Sequence, residues 1–106
     1  MDTVEWLEPW TPVVDAATRA ALEAELRREV GKGHILYRRS ARTIARRSNQ
    51  DDVLFVVESP AQLAVVHLTY SGKPDRPPWP ITHLFDDITA FIEGPMKTDH
   101  AEYTGP

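Results

Sequence analysis

The first regular pattern of hydrophobic residues along this chain has the spacing of an α-helix. Asp15 can cap a helix that runs from Ala16 to Val30 through a segment rich in Ala, Leu, Glu and Arg, and Gly31 supplies its end. An apolar stripe follows this segment at i+4 spacing through Leu22, Leu26 and Val30. The sequence therefore predicts a long amphipathic N-terminal helix.

The pattern then changes to the composition of β-strands. Asp52 to Val57 and Leu63 to Tyr70 are apolar runs, and polar breaks at Ser48 to Asp51 and Ser59 to Ala61 precede them. Ile35 to Arg47 fits a helix as well as a strand, because its arginines share a face under either period. The turn that follows this segment favours a strand. We therefore predict a three-stranded antiparallel β-meander, with the extent of its first strand left open.

Proline and glycine mark the elements that follow the meander. Prolines are frequent between Gly72 and Pro80, which predicts a stiff loop that carries Trp79. Thr82 then has the character of a helix cap, followed by an apolar stripe that stops at Gly94 and Pro95. These signals predict a short C-terminal helix.

The two ends of the chain complete the predicted α+β fold. Residues 1–14 contain Trp6 and Trp10 and predict an extended arm packed on the domain, whereas residues 96–106 predict a loosely held tail. The whole chain of residues 1–106 is expected to be one domain. An extra short strand is compatible with the arm or with the region near Tyr37.

Pairing about the two turns assigns the strand residues to two faces of the sheet. We expect the helix-covered core face to hold Thr43, Ala45, Val53, Phe55, Val57, Ala64, Val66 and Leu68. The second face then holds Arg42, Ile44, Arg46, Asp52, Leu54, Val56, Val65, His67 and Thr69. Its middle is too apolar for water, so the arm, the Trp79 loop or a second copy of the protein should cover it. We favour the chain's own arm or loop.

Composition narrows the class of protein. The chain has 106 residues, 42% of them hydrophobic, which suits one core. It lacks cysteine, which excludes disulfides and thiolate chemistry and fits a reducing compartment. The net charge of −4 disfavours nucleic acid as a partner of the whole chain. The N-terminus does not resemble a signal peptide and no segment has the length of a membrane span, so we expect a cytoplasmic protein.

Motifs for known chemistry are absent from the sequence. Gly-rich phosphate loops, a nucleophile elbow, a His-Glu-x-x-His helix and an EF-hand loop do not occur. The histidines are too widely spaced to suggest a metal site, and we expect no cofactor. This pattern favours a binding protein over an enzyme.

One polar group on the second face could nevertheless do chemistry. His67 lies in an apolar strand, across from Leu54 in the predicted pairing and near Asp52 and Arg46. His67, Asp52 and Arg46 together could perform acid–base catalysis or bind an anion. The alternative, which we favour, is an ordinary cross-strand ion pair beside a half-buried histidine. The candidate ligand or interface residues are Arg42, Arg46, Asp52, Leu54, His67, Thr69 and Trp79.

A basic patch offers a further site. Five arginines occur close together next to an aromatic side chain, at Arg38, Arg39, Arg42, Arg46 and Arg47. Arginine beside an aromatic ring suits a phosphate or single-strand binder. Neighbouring acidic residues could instead neutralise these arginines within the fold.

Two runs within the stretch from His34 to Thr82 are distinctive. They are Asp51-Asp52-Val53-Leu54-Phe55, and Val65 to Lys73 followed by Pro78-Trp79-Pro80. In these runs the chain resembles a group of small bacterial proteins whose function is not known. The resemblance implies a stand-alone bacterial domain and carries over no catalytic residue.

Three hypotheses of function follow from the sequence. The leading one is a non-enzymatic binding or accessory domain that meets a protein partner, or a second copy of itself, through the second sheet face. Another is a small hydrolase or ligand-binding protein centred on His67, Asp52 and Arg46, with the Trp79 loop as a lid. The last is nucleic-acid binding through the basic patch, which the net charge disfavours.

Overall fold

The computed structural model describes residues 4–105 as an α+β fold with helices on both faces of one antiparallel sheet. The first three residues of the predicted arm and the last residue of the predicted tail lie outside the described residues. The sheet has five strands in the order β1-β2-β3-β4-β5. The elements are β1 (Trp10–Pro12), α1 (Ala16–Glu29), β2 (Ala41–Arg47), β3 (Asp52–Val57), β4 (Gln62–His67), β5 (Thr82–Phe85), α2 (Ile88–Phe91), a π-helical segment (Ile92–Met96) and α3 (Lys97–Thr104).

Helix α1 begins and ends close to the predicted positions. Asp15 caps it by accepting a hydrogen bond of 2.8 Å from the Thr18 amide. Its buried face carries Leu22 and Leu26, as the apolar stripe predicts, and also Glu25 and Glu29. The helix therefore buries two carboxylates together with its leucines.

The two predicted hairpins are present, but the sheet has two strands more than the predicted meander. β1 in the arm adds to the edge of β2, and β5 adds to the edge of β4. β2 begins only at Ala41 rather than at Ile35. Arg38 has a φ of 64°, which a regular strand does not contain, so residues before Ala41 form turns.

A β-bulge at Ile44 changes which β2 residues face which side. Thr43 pairs with Phe55 and Ala45 pairs with Leu54, so β2 has one residue more than β3 between these pairs. The predicted placement of Ala45 on the helix-covered face is therefore wrong, because Ala45 packs in the cluster on the opposite face. Arg46 is shifted to the α1 side for the same reason.

Thr82 does not cap a helix. It pairs with Val66 as part of β5, and the helical region begins after Asp87, whose carboxylate accepts from the Ala90 amide at 2.9 Å. Gly94 and Pro95 do not end the helix. They lie in the π-helical segment, where the wider turn accommodates a proline that lacks an amide hydrogen.

Residues 97–104 of the predicted tail form α3. α2, the π-helical segment and α3 follow one another without a break, and we call them together the C-terminal helix. Phe91 and Met96 fix this helix to the sheet, since each is almost fully buried. Anchoring by apolar residues on both sides of the Gly94–Pro95 pair explains why the helix continues past it.

Two apolar clusters lie on opposite faces of the sheet. The first lies between α1 and the sheet and includes Phe55, Val57 and Val66. The second lies between the sheet, the arm and the C-terminal helix, and Trp10 meets Phe91 there edge-on at 5.0 Å between ring centroids. The arm covers the second face as favoured from the sequence, and the C-terminal helix supplies additional cover. Within residues 4–105, no helix has the length and hydropathy needed to cross a membrane.

Candidate functional site

A cleft opens between the second half of α1 and the turn that leads into β2. Its volume is about 650 Å³, within the range of ligand-binding pockets. The floor is apolar, because Leu26 and Leu36 are buried there and Val30 packs against them. Such a floor can accept an apolar group from a ligand.

Arginines surround this floor. The arginines that line the cleft are Arg27, Arg38, Arg39 and Arg42. Arg39 is held within the fold, because it donates to the Glu58 carbonyl at 3.0 Å and to Gln62 Oε1 at 3.0 Å. In the part of the chain that the structure describes, the other three form no ion pair. We call this site the arginine cleft.

Arg38 is oriented by its neighbour Tyr37. The guanidinium lies over the Tyr37 ring at 5.4 Å from the centroid, a cation–π arrangement. Among the described residues, the Arg38 guanidinium forms no ion pair with a carboxylate. A guanidinium group can bind a carboxylate through two parallel hydrogen bonds.

Two carboxylates also line the arginine cleft. Glu23 Oε2 accepts a hydrogen bond of 2.7 Å from the Thr43 amide, so this carboxylate satisfies a backbone donor of β2. Glu58 lines the cleft as well. The positive charges outnumber the negative ones, four guanidinium groups against two carboxylates, and the cleft therefore favours an anionic ligand.

A second cavity lies on the other side of the same turn. It has a volume of about 550 Å³ and is lined by Gly33, His34, Ile35, Pro77, Pro78, Ile81 and Thr82. We call it the proline pocket. Ile35, 56% exposed, is an apolar side chain at its rim. The proline pocket is thus suited to an apolar group rather than to a charge.

His34 fixes the turn between the two cavities. Its Nδ1 accepts a hydrogen bond of 3.0 Å from the Leu36 amide, so Nε2 carries the proton and donates to the Pro80 carbonyl at 2.8 Å. The ring is 6% exposed. One neutral histidine therefore ties the turn to the proline-rich loop.

The structure brings His67 and Asp52 together but separates Arg46 from them. His67 Nδ1 donates to Asp52 Oδ1 at 2.8 Å. Arg46 instead lies beside Tyr70 and the first half of α1. The bulge puts Arg47 in its place, with Nη1 at 3.3 Å from Asp52 Oδ2. Within residues 4–105, no set of three or more metal-binding side chains is assembled.

The other predicted site residues lie apart. Arg42 lines the arginine cleft. Leu54 is fully buried in the second cluster, and Trp79 is half exposed in the proline-rich loop. Thr69 is turned towards α1, where its amide donates to Glu29 Oε1 at 2.8 Å. The seven candidates therefore do not form one site.

Arg47 joins the sheet to the C-terminal helix. Its Nη1 lies 3.7 Å from Asp99 Oδ1, and Asp99 Oδ2 accepts from the Trp10 indole at 2.8 Å. His67, Asp52, Arg47 and Asp99 thus form a continuous polar row across the end of the sheet. This polar row connects β2, β3 and β4 to α3 and is typical of a structural contact.

Glu25 and Glu29 form a second polar arrangement, which the sequence analysis did not identify. Burial, reinforced by the hydrogen bond that protonated Glu29 donates to the Glu25 carboxylate, raises the pKa of Glu29 from 4.5 to about 7. The same hydrogen bond between the carboxyl groups lowers the pKa of Glu25. Glu29 accepts from the amides of Thr69 and Tyr70 at 2.8 Å each. The pair therefore fastens the loop after β4 to α1.

The helical period of the sequence could have indicated that these two glutamates face the core. Residues 25 and 29 fall on the same face of α1 as Leu22 and Leu26, so both carboxylates occupy core-facing positions. No such signal marks Asp99 or His34, because their partners lie 89 and 46 residues away in the sequence. Only the fold brings these groups together.

Comparisons of the chain with protein-family models, with curated proteins and with solved structures give no match. The resemblance of the stretch from His34 to Thr82 to small bacterial proteins therefore stays a prediction.

Proposed function

We propose that this protein is a non-enzymatic binding domain and that its arginine cleft binds an acidic segment of a partner protein. One observation carries the proposal: Arg27, Arg38 and Arg42 surround an apolar floor without a carboxylate partner among the described residues. Arginine and aromatic side chains are the residue types most enriched in protein interfaces. The cleft combines both with exposed apolar surface.

The charge distribution supports a local rather than a global attraction. The chain as a whole has a net charge of −4, yet the arginine cleft holds more cations than anions. A positive site on a negative protein orients an acidic partner as it approaches and repels it elsewhere. This arrangement favours a defined docking position over general adhesion to anions.

The cleft also takes over the role that the sequence analysis gave to the second sheet face. That face is covered by the arm and by the C-terminal helix, which bury Leu54 and Trp10. The concave surface between α1 and the turn before β2 is open to a partner. The proposal of a protein partner therefore rests on the arginine cleft.

The basic patch does not stay together in the fold, which weakens the support for nucleic-acid binding. Arg46 and Arg47 lie on opposite faces of the sheet, and Arg39 is bonded within the chain. Of the five, Arg38 and Arg42 line the cleft and form no ion pair within residues 4–105. Two such groups are few for a site that follows a phosphate backbone.

Titration of the ¹⁵N-labelled protein with a soluble peptide of alternating Glu and Leu tests the proposal. We expect amide shifts along residues 23–30 and 36–42, and a weaker affinity at higher salt. Arg38→Ser should weaken binding about fivefold to tenfold, the effect of losing one charge-assisted contact. Arg76→Ser, which removes an exposed arginine of the proline-rich loop, is the matched control.

Two results would contradict the proposal. One is a set of shifts that avoids the cleft, and the other is an equal loss of affinity in both variants. If a single-stranded oligonucleotide bound the cleft more tightly than the peptide, the result would favour nucleic acid over an acidic protein segment as the ligand.

A further inference from the structure

One turn of the chain lines two cavities. Residues 33–35 line the proline pocket, and residues 36–40 line the arginine cleft. Their chemistry differs, because the first cavity is mostly apolar and the second is rimmed by guanidinium groups. A ligand in the arginine cleft therefore lies next to a second cavity. The cleft favours acidic groups, and the second cavity favours apolar groups.

The turn holds the two cavities in a fixed relation. His34 is bonded on both ring nitrogens, to Leu36 on one side and to Pro80 on the other. Gly33 adopts a φ of +97°, and a side chain there would lie 3.5 Å from Pro77. The proline-rich loop thus packs directly on the turn. When the two cavities are already held in place, ligand binding requires less ordering of the protein and loses less conformational entropy.

Apolar side chains remain uncovered around the proline pocket. Ile35 is 56% exposed at its rim, and Trp79 in the proline-rich loop is 51% exposed. Both belong to segments that His34 immobilises. Contiguous exposed apolar surface marks protein–protein interfaces and ligand-binding grooves.

We infer that a single partner segment occupies both cavities, with its acidic residues at the arginine cleft and one bulky apolar residue in the proline pocket. The inference rests on the proposed function and specifies its partner. The charge excess of the cleft selects acidic residues, and the apolar lining of the pocket selects an aliphatic or aromatic side chain. Because both groups belong to one segment, the second contact forms at high effective concentration.

Selection from a display library of random twelve-residue peptides tests this inference on the intact protein. Enriched peptides should combine acidic residues with one Leu, Ile, Phe or Trp at a constant spacing. A synthetic peptide of the consensus should bind at least tenfold more tightly than the same peptide with that apolar residue replaced by Ser, the effect of burying one large side chain.

Variants of the protein locate each half of the peptide. Ile35→Ser should remove the advantage of the apolar residue while leaving the acidic peptide bound, and Arg38→Ser should weaken both peptides. Val14→Ser, at an aliphatic residue 77% exposed before α1, is the control and should change neither affinity. Thermal unfolding of each variant confirms that the fold is retained.

The outcomes separate the inference from the proposed function. Enrichment of acidic peptides without a conserved apolar residue, or an unchanged affinity of Ile35→Ser, overturns the inference and leaves the acidic partner in place. Failure to enrich any acidic peptide overturns both.

Discussion

Asp99 accepts a hydrogen bond of 2.8 Å from the indole nitrogen of Trp10, across 89 residues of sequence. This contact joins the arm to the C-terminal helix on the outer side of the second cluster. Asp99 also lies 3.7 Å from Arg47 of β2, so one carboxylate connects the arm, the sheet and the helix. α3 has no buried residue of its own and depends on such polar contacts for its position.

Replacement of Asp99 by Ala should therefore destabilise the protein. The change leaves the Trp10 indole donor unpaired at a side chain that is 1% exposed, and we expect the free energy of unfolding to fall by about 1–3 kcal/mol. Urea denaturation followed by tryptophan fluorescence measures this loss. Glu102→Ala, at an exposed position of the same helix, should change it little. Equal effects of the two substitutions would show that Asp99 does not connect these elements.

Stability should depend on pH through Glu29. Because the fold raises the pKa of Glu29 from 4.5 to about 7, the folded state holds a proton that the unfolded state releases between these values. The contribution of this group is complete below pH 4.5 and is lost as the pH rises towards 7, with an upper bound of about 3 kcal/mol. Glu25, whose pKa is lowered, acts in the opposite direction and only towards lower pH.

Glu29→Gln should flatten this dependence, since an amide stays neutral throughout. Unfolding in urea at several pH values between 4.5 and 8 measures the slope for both proteins. Glu93→Gln, at an exposed glutamate of the C-terminal helix, controls for the loss of a charge. A wild-type stability that rises steadily through this range would contradict the assignment.

His34 should be required for the geometry of the turn. His34→Ala leaves the Leu36 amide and the Pro80 carbonyl without their partner in a buried setting, and we expect a loss of about 2–4 kcal/mol. Thermal or urea unfolding measures it, with the exposed His83→Ala as the matched variant. If His34→Ala proved as stable as His83→Ala, the turn would be held by other contacts.

The strands inside the sheet were predictable because their side chains alternate in a simple way. β3 and β4 have the predicted alternation of faces, but their register differs by two residues, because His67 pairs with Asp52 rather than with Leu54, and Leu54 pairs with Val65. The edge strands were missed for a different reason. Thr82–Phe85 is only four residues long, and its apolar residues continue into the stripe of the following helix, so the sequence pattern merges the two. Helix ends predicted from Gly94 and Pro95 failed because packing of Phe91 and Met96 outweighs the local preference.

The candidate site was partly visible in the sequence. Arg38 and Arg42 belong to the basic patch, and the structure adds Arg27 from α1, which lies far from them along the chain. The proximity of His67 to Asp52 was predicted, although the predicted register placed His67 opposite Leu54 and not opposite Asp52. The third member, Arg46, was misplaced because nothing in the composition of β2 indicates where an extra residue is accommodated.

The extra residue in β2 reverses the alternation of its side chains between the two faces of the sheet. Before Ile44 its odd-numbered positions point to one layer of the molecule, and after it they point to the other. Neighbouring residues of a strand point to opposite faces, and the bulge decides that Arg46 lies beside Tyr70 and Arg47 beside Asp99. Deleting Ile44 would remove the bulge while keeping the pairing of Thr43 with Phe55 and of Ala45 with Leu54, so both arginines would retain their surroundings.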